Sequence, residues 1–221
     1  MPHSLETNGF AILPKIIGLT QRQRLIETLG PVSGAGRRGL LGIPEVSEIA
    51  RSERVLDLIR PHLPISPTPV RSIYFDKSAE ANWLVSWHQD LTIALQNPSD
   101  IDGFGPWSTK DGIPHVQPPV EMLQRMLTIR IHLDDANESN GALRVLPGTH
   151  RLGRLSPDQI QEQRSQVPES LCSVSAGDAL LMRPLLLHAS GRSTSPNHRR
   201  ILHIEYAGFT LPSGTLWHEQ A

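Results

Sequence analysis

From residue 69 onward the chain breaks into short runs in which apolar residues are continuous or alternate with polar ones. They read VRSIYF, NWLVSWHQ, LTIAL, MLTIRIHL, ALRVL, LCSVS, DALLMR, PLLLHAS and RILHIEYAGF. Turn-forming clusters such as NESNG, SAGD and STSPN separate them. Strand side chains alternate between two faces, and many short strands at close intervals describe an antiparallel sandwich or barrel. The spacing does not fit parallel βαβ units. The expected fold class is mainly β, with helices outside.

Those helices belong to the first 68 residues. NGFAILPKII predicts a short strand, and a helix opens near Thr20, with Gln23 three residues later as in a capping box. Gly30 and Pro31 end it. A loop, SGAGRRG, precedes two short helices around Pro44–Ala50 and Ser52–His62, the second with Val55, Leu56 and Ile59 on one face. The expected organisation is one domain over 1–221, with helical decoration over 1–68 and a β core over 69–210. Residues 97–120 form a connection longer than compact domains carry without secondary structure. Such segments are functional lids or disordered, and Trp107 with HVQPP argues for order. A lid is expected, with Trp107, His115 and Gln117 as its contacts to substrate. Each of the three reads equally well as ordinary loop packing.

Charge changes the picture by exclusion. Lys plus Arg total 21 against 22 Asp plus Glu, a net of −1, with no basic block for a nucleic acid or a membrane surface. The longest apolar run, ALLMRPLLLHA, is broken by Arg183 and Pro184 and is too short to span a bilayer. Cys172 is the single cysteine, which excludes an intrachain disulfide and a thiolate-rich metal site. MPHSLETNGF lacks the basic start and apolar core of a signal peptide, so a cytoplasmic location is expected.

The candidate chemistry begins at SWHQD, residues 86–90. On an extended chain His88 and Asp90 leave one face, as half of a metal site would. Two other pairs, His132 with Asp134 and His203 with Glu205, have the same spacing, and periodicity does not rank them. Asp134 and Asp135 lead into NESNG and also suit turn caps. His188 closes a buried apolar stretch at the mouth of a strand, Ser190 shares its face, and Arg199 begins the returning strand. Arg130 shares a face with His132, pointing inward to substrate or pairing with Asp134. Two histidines and a carboxylate leave open positions on an iron ion, and an arginine fork holds a second carboxylate. The rival classes are a non-catalytic jelly-roll protein binding a metal or small ligand, and a zinc-dependent hydrolase using the same ligands.

WHQD at 87–90, LDDANESNGALRVLPGTH at 133–150 and GDALLMRPLLLHASGRSTSPNHRR at 177–200 together resemble the phytanoyl-CoA dioxygenase family. Members are Fe(II)- and 2-oxoglutarate-dependent oxygenases that use O2. The resemblance runs from about Phe75 to Tyr206, and NGFAILPKII looks like the family's N-terminal element. It implies a double-stranded β-helix, or jelly roll, with metal ligands His88, Asp90 and His188. It also implies a 2-oxoglutarate-binding Arg199, eleven residues beyond that histidine, helped by Ser190 and, in some members, by a lysine matching Lys77. A solvated surface lysine is the plainer reading of Lys77. LDD, NG and PGTH become structural turns, and His132 and His150 are not carried over as ligands. Related halogenases lack the carboxylate; Asp90 therefore implies hydroxylation or another oxidation, such as desaturation, of a small molecule, with succinate and carbon dioxide as co-products.

Overall fold

Helical periodicity in the first third of the chain folds as four helices around two short strands. These are α1 (Leu5–Asn8), β1 (Phe10–Leu13), α2 (Leu19–Leu29), β2 (Arg37–Arg38), α3 (Pro44–Ala50) and α4 (Glu53–Ile59). The structure is a computed structural model that describes residues 4–32, 34, 36–79 and 81–219. Pro44 opens α3, where a missing N–H leaves no bond unmade. The Ser52 side chain caps α4 by accepting from the Val55 amide. Val55 and Ile59 are buried and Leu56 is half-buried. The capping box at Thr20 does not form, because α2 already begins at Leu19 after Gly18 and Thr20 lies inside its first turn. Arg37 and Arg38, expected in a loop, pair with Tyr74 and Ile73 as an edge strand. Ser33 and Ala35 of that loop lie outside the described residues.

The middle of the chain supplies β3 (Thr68–Lys77), β4 (Val85–His88), β5 (Ile93–Ala94), β6 (Trp107–Lys110), β7 (Ile113–Val116) and α5 (Val120–Leu123). There follow β8 (Met126–His132), β9 (Leu143–Val145), α6 (Pro157–Gln166), β10 (Ser170–Cys172), β11 (Ala179–Met182), β12 (His188–Ser190) and β13 (Arg199–Ala207). Residues 97–120 are thus not structureless: β6 and β7 form a hairpin there, joined by β5. Helix α6 was not expected, because it buries no residue; a capping box between Ser156 and Gln159 secures its start.

A six-stranded sheet runs β1-β11-β8-β13-β3-β2, a four-stranded sheet β10-β9-β12-β4, and the small sheet β5-β7-β6, all antiparallel. This is the jelly-roll class. The outer face of the large sheet, through Tyr74, Ile129, Leu202 and Ile204, packs on Leu25, Ile49 and Ile59 of the helices. Burying each such side chain contributes about 1.5–3 kcal/mol. Between the two large sheets, Phe10, Leu180 and Met182 meet Leu143, Val145 and Cys172. The small sheet closes the end where β3, β8 and β13 carry Val70, Met126 and Ala207.

Apolar filling stops partway along the barrel. The strand registers put Arg71, Phe75 and Lys77 of β3, Arg130 and His132 of β8, and Arg199, His203 and Glu205 of β13 on the inner face. An inner face this polar is poor core and good site.

Candidate active site

The stretch SWHQD divides its side chains between two jobs. Gln89 turns away from the barrel interior: its amide donates to the carbonyls of Gly153 and Leu185, both at 2.8 Å, and its oxygen accepts from the Leu155 amide. The Asp90 amide donates to the Pro184 carbonyl at 2.9 Å. Trp87, on the same side as Gln89, lies under the Arg144 guanidinium. With 87 and 89 anchored outward, His88 and Asp90 face inward.

Strand pairing supplies the third group. His188 sits directly opposite His88 in the β12–β4 ladder, which brings the two rings to 4.2 Å between centroids. Asp90 reaches both: its carboxylate oxygens lie 3.8 Å from His88 Nε2 and 3.7 Å from His188 Nε2. One ligand atom from each residue lies within 4.8 Å of the others. Each imidazole donates its Nδ1 hydrogen to the carbonyl two residues earlier, Ser86 for His88 and Leu186 for His188, at 2.8 Å. A carbonyl can only accept, so in the neutral form of each ring it is Nε2 that carries the lone pair, aimed at the shared point. Burial lowers His188 to about 4, against the pull of Asp90, and keeps it neutral at pH 7. Burial raises Asp90, but His188 and His88 draw it well below the usual carboxylate range. Two imidazole nitrogens and an ionised carboxylate oxygen are a donor set suited to divalent iron.

One step along the barrel lies a cationic pocket. Arg199 is 3% exposed, and its Nε and Nη1 find no partner. Burial and the nearby Arg130 lower it to about 9. Its cross-strand neighbour is Lys77, fully buried rather than on the surface. Lys77 Nζ donates to Ser190 Oγ at 3.0 Å and to the Gly191 carbonyl at 2.6 Å, with Trp83 5.1 Å away. Burial and the guanidiniums of Arg199, Arg130 and Arg192 lower it to about 7. Ser190 Oγ donates in turn to the Gly141 carbonyl at 2.7 Å. Among the described residues no carboxylate offsets the buried Arg199 guanidinium, an arrangement that is unfavourable without an anion beside it.

The two rival histidine pairs resolve differently. His132 is buried with both ring nitrogens unpartnered, while Asp134 lies in the following turn and binds Arg200 bidentately at 2.7 Å. Arg130 therefore does not pair with Asp134. It points inward, lies 5.4 Å from the Phe75 ring and donates to His203 Nδ1 at 3.0 Å. His203 Nε2 donates to Glu205 Oε1 at 3.1 Å, and Glu205 pairs with Arg71 at 3.1 Å. This buried chain lines a cavity of about 390 Å³ that also contains His88, Asp90, His188, Ser190 and Arg199. Arg71 was not anticipated; the signal was available, since Arg71, Lys77, Arg199 and Glu205 all stand at inward positions of otherwise apolar strands.

Trp107, His115 and Gln117 do not line the cavity. Trp107 packs on the apolar cluster around Ile93 and Val116. His115 is buried, donates Nδ1 to the Ile113 carbonyl and is lowered to about 4 by that burial. Gln117 exchanges backbone bonds with Gly105 and Pro106. From this segment's hairpin Lys110 lines the cavity rim, with Nζ 3.2 Å from Thr92 Oγ1, and the exposed Asp111 pairs with Arg38 of β2, which lines the cavity. His62 pairs with Glu6, and His198 with Asp76; His3 lies outside the described residues.

Comparison with known proteins gives the same architecture. The crystal structure of EctD from S. alaskensis superposes with a TM-score of 0.71 at 17% identity, over 92% of this chain and 74% of that one. AviO1 from Streptomyces viridochromogenes Tue57 gives 0.65 at 21% identity, over 92% and 91%. HygX from Streptomyces hygroscopicus, solved with nickel and 2-oxoglutarate bound, gives 0.65 at 17% identity, over 92% and 84%. Among curated proteins, a "Probable alpha-ketoglutarate-dependent hypophosphite dioxygenase" of Stutzerimonas stutzeri is 25% identical over 176 residues, 73% of this chain. The chain spans about half that relative's length, 52%. Residues 44–201 match the family model described as phytanoyl-CoA dioxygenase (PhyH), and the chain belongs to that family.

Proposed function

We propose that this chain is an Fe(II)- and 2-oxoglutarate-dependent dioxygenase that oxidises an unactivated C–H bond of a small molecule, with 2-oxoglutarate converted to succinate and carbon dioxide. The observation that carries the reading is the convergence of His88, Asp90 and His188 within 4.8 Å beside a buried guanidinium that has no counter-ion. A zinc hydrolase using the same three ligands has no need for Arg199. The curated relative's name and the nickel and 2-oxoglutarate bound to HygX support the cofactor pair. Iron held there would supply, with 2-oxoglutarate and O2, the oxidant for C–H cleavage.

The chain's own part is binding and orientation. His88, Asp90 and His188 hold the metal, with ring orientation fixed by the Ser86 and Leu186 carbonyls. Arg199, Ser190 and Lys77 take the far carboxylate of 2-oxoglutarate, a charge-assisted contact of the strong kind. The β6–β7 hairpin serves as the lid, latched to β2 through Asp111 and Arg38. Trp107 and His115 support it from behind. Excluding water there protects the oxidant from side reactions.

The test is succinate formed from 2-oxoglutarate with ferrous iron and air, for the unaltered chain and for His88→Ala. Succinate that depends on iron, oxygen and His88 is expected. An equal yield from His88→Ala, or hydrolysis with zinc that ignores oxygen, would sink the reading; metal binding with no turnover of 2-oxoglutarate would point to a binding protein.

A further inference from the structure

The cavity has two cationic ends, and the cosubstrate as proposed takes only one. On β13, Arg199 and Glu205 stand six residues apart on one face, roughly 20 Å of strand. Lys77 touches Ser190 at the Arg199 end. At the other end Arg71 pairs with Glu205, and its Nη1 donates to the Thr92 carbonyl at 3.3 Å. His188 is two residues from Ser190, which meets Lys77 at the first end, and Asp90 is two residues from Thr92, which meets Arg71 at the second.

Three cations gather at that second end: Arg71 of β3, Arg38 of β2 and Lys110 of β6, all lining the cavity. Lys110 is lowered by burial first and then by Arg71 and Arg38, though Asp90 and Glu205 oppose this. The electrostatics agree with the geometry that the three charges are close. Their neutralisation is incomplete. Glu205 serves Arg71, Asp111 serves Arg38 from the exposed side, and Lys110 donates to the Thr92 hydroxyl. The buried Nε atoms of Arg38, Arg71 and Arg130 have no partner among the described residues.

Counting gives the same sign. The lining contains five cations, Arg38, Arg71, Lys110, Arg130 and Arg199, against two carboxylates, Asp90 and Glu205; with Asp111 outside the lining offsetting Arg38, five minus three leaves an excess of two. A divalent metal and doubly negative 2-oxoglutarate cancel each other and leave the excess in place. With 2-oxoglutarate on Arg199, the cations at the Arg71 end still call for an anion.

We infer that the substrate is a small oxyanion-bearing molecule, its carboxylate or phosphonate held by Arg38, Arg71 and Lys110 at the end of the cavity opposite Arg199. The inference rests on the oxygenase reading and narrows its substrate class. The cavity of about 390 Å³ is at the small end of ligand sites, which run from roughly 300 to 1,000 Å³, so the bound part of the substrate is short.

The experiment uses the full chain loaded with redox-inert nickel and saturated with 2-oxoglutarate. Matched probes are titrated calorimetrically: butyrate against butyramide, and propylphosphonate against its dimethyl ester. At least one anion is expected to bind more tightly than its neutral twin by roughly tenfold, and added salt to weaken that preference. The phosphonate and carboxylate arms report which oxyanion fits better. In the double variant Arg38→Gln with Lys110→Gln, both partly exposed positions, the preference is expected to fall by roughly fivefold. Equal binding of neutral twins, no binding by either anion, or a preference untouched in the double variant overturns the inference. Binding of 2-oxoglutarate to the unaltered nickel-loaded chain is the control. If that binding fails, the oxygenase reading falls; if it persists without anion preference, only this inference does.

Discussion

Arg199 is a residue that folding places badly and function explains. Its guanidinium is buried beside Arg130, with two nitrogens unpartnered, so removing its charge relieves the empty protein. Arg199→Met is therefore expected to leave the melting temperature of the metal-free chain unchanged or higher. On the proposed assignment the same change deletes the charge-assisted bonds to 2-oxoglutarate, about 1.5–3 kcal/mol, and is expected to weaken its binding by roughly 10- to 150-fold. Thermal unfolding and calorimetric titration check the two halves separately. A variant that lost stability and kept its affinity would refute the assignment. Lys77 carries a second prediction. Its folded value is about 7, well below the ordinary 10.5, so between those values the unfolded chain holds a proton that the folded chain has released. Stability then rises with pH across that window, by up to about 1.4 kcal/mol per pH unit. Urea unfolding at pH 7 to 10 should show this rise in the unaltered chain and lose it in Lys77→Met.

At the scale of elements, the turn between β8 and β9 packs directly against the proposed cosubstrate pocket. Gly141 has φ +74°, in the left-handed region that favours glycine. A Cβ there would collide with the Gly191 carbonyl and come within 3.2 Å of Lys77 Nζ. Gly141→Ala is expected to destabilise the fold by about 1–3 kcal/mol and to weaken 2-oxoglutarate binding by displacing Gly191 and Ser190. Denaturant unfolding and calorimetric titration measure both effects, and retained affinity would show that the turn does not set the pocket. The sequence made this turn legible as NESNG, and it made β3, β8, β11 and β13 legible, because apolar alternation and strand length act locally. The hairpin of β6 and β7 was hidden, since its pairing partners Trp107 and Val116 are polar-flanked and its core contacts are made by distant residues. Helix α6 was hidden for the opposite reason: it has no apolar face to detect, only its Ser156 cap. The candidate metal residues His88, Asp90 and His188, which the structure brings together, were nameable from motif spacing. Their ranking over His132 and His203 required the family resemblance, because parity alone puts all three pairs on strand faces. The chain from Arg71 to Arg130 required cross-strand register, which no local pattern reports.

For the molecule as a whole, the site ties together parts that packing alone leaves separate. His88 and His188 belong to the four-stranded sheet, whereas Arg199 and Lys77 belong to the six-stranded sheet. A metal by itself bridges β12 to β4, the edge strand of its sheet, and Asp90 beyond it. A 2-oxoglutarate molecule bound to that metal and to Arg199 links the two sheets across the cavity. Ligands that bind only the folded chain stabilise it by mass action, about 2.7 kcal/mol at a hundredfold excess over Kd. For a chain of this length that raises the melting temperature by about 5–10 °C. Nickel and 2-oxoglutarate added together should therefore raise it by more than the sum of their separate shifts, because each completes the other's binding site. His188→Ala should abolish the nickel shift and, with it, the additional shift from 2-oxoglutarate. Arg199→Met should keep the nickel shift and lose the excess over additivity. Differential scanning of the three proteins with each ligand alone and with both decides the matter: simple additivity in the unaltered chain would mean that metal and cosubstrate do not share one site spanning the two sheets.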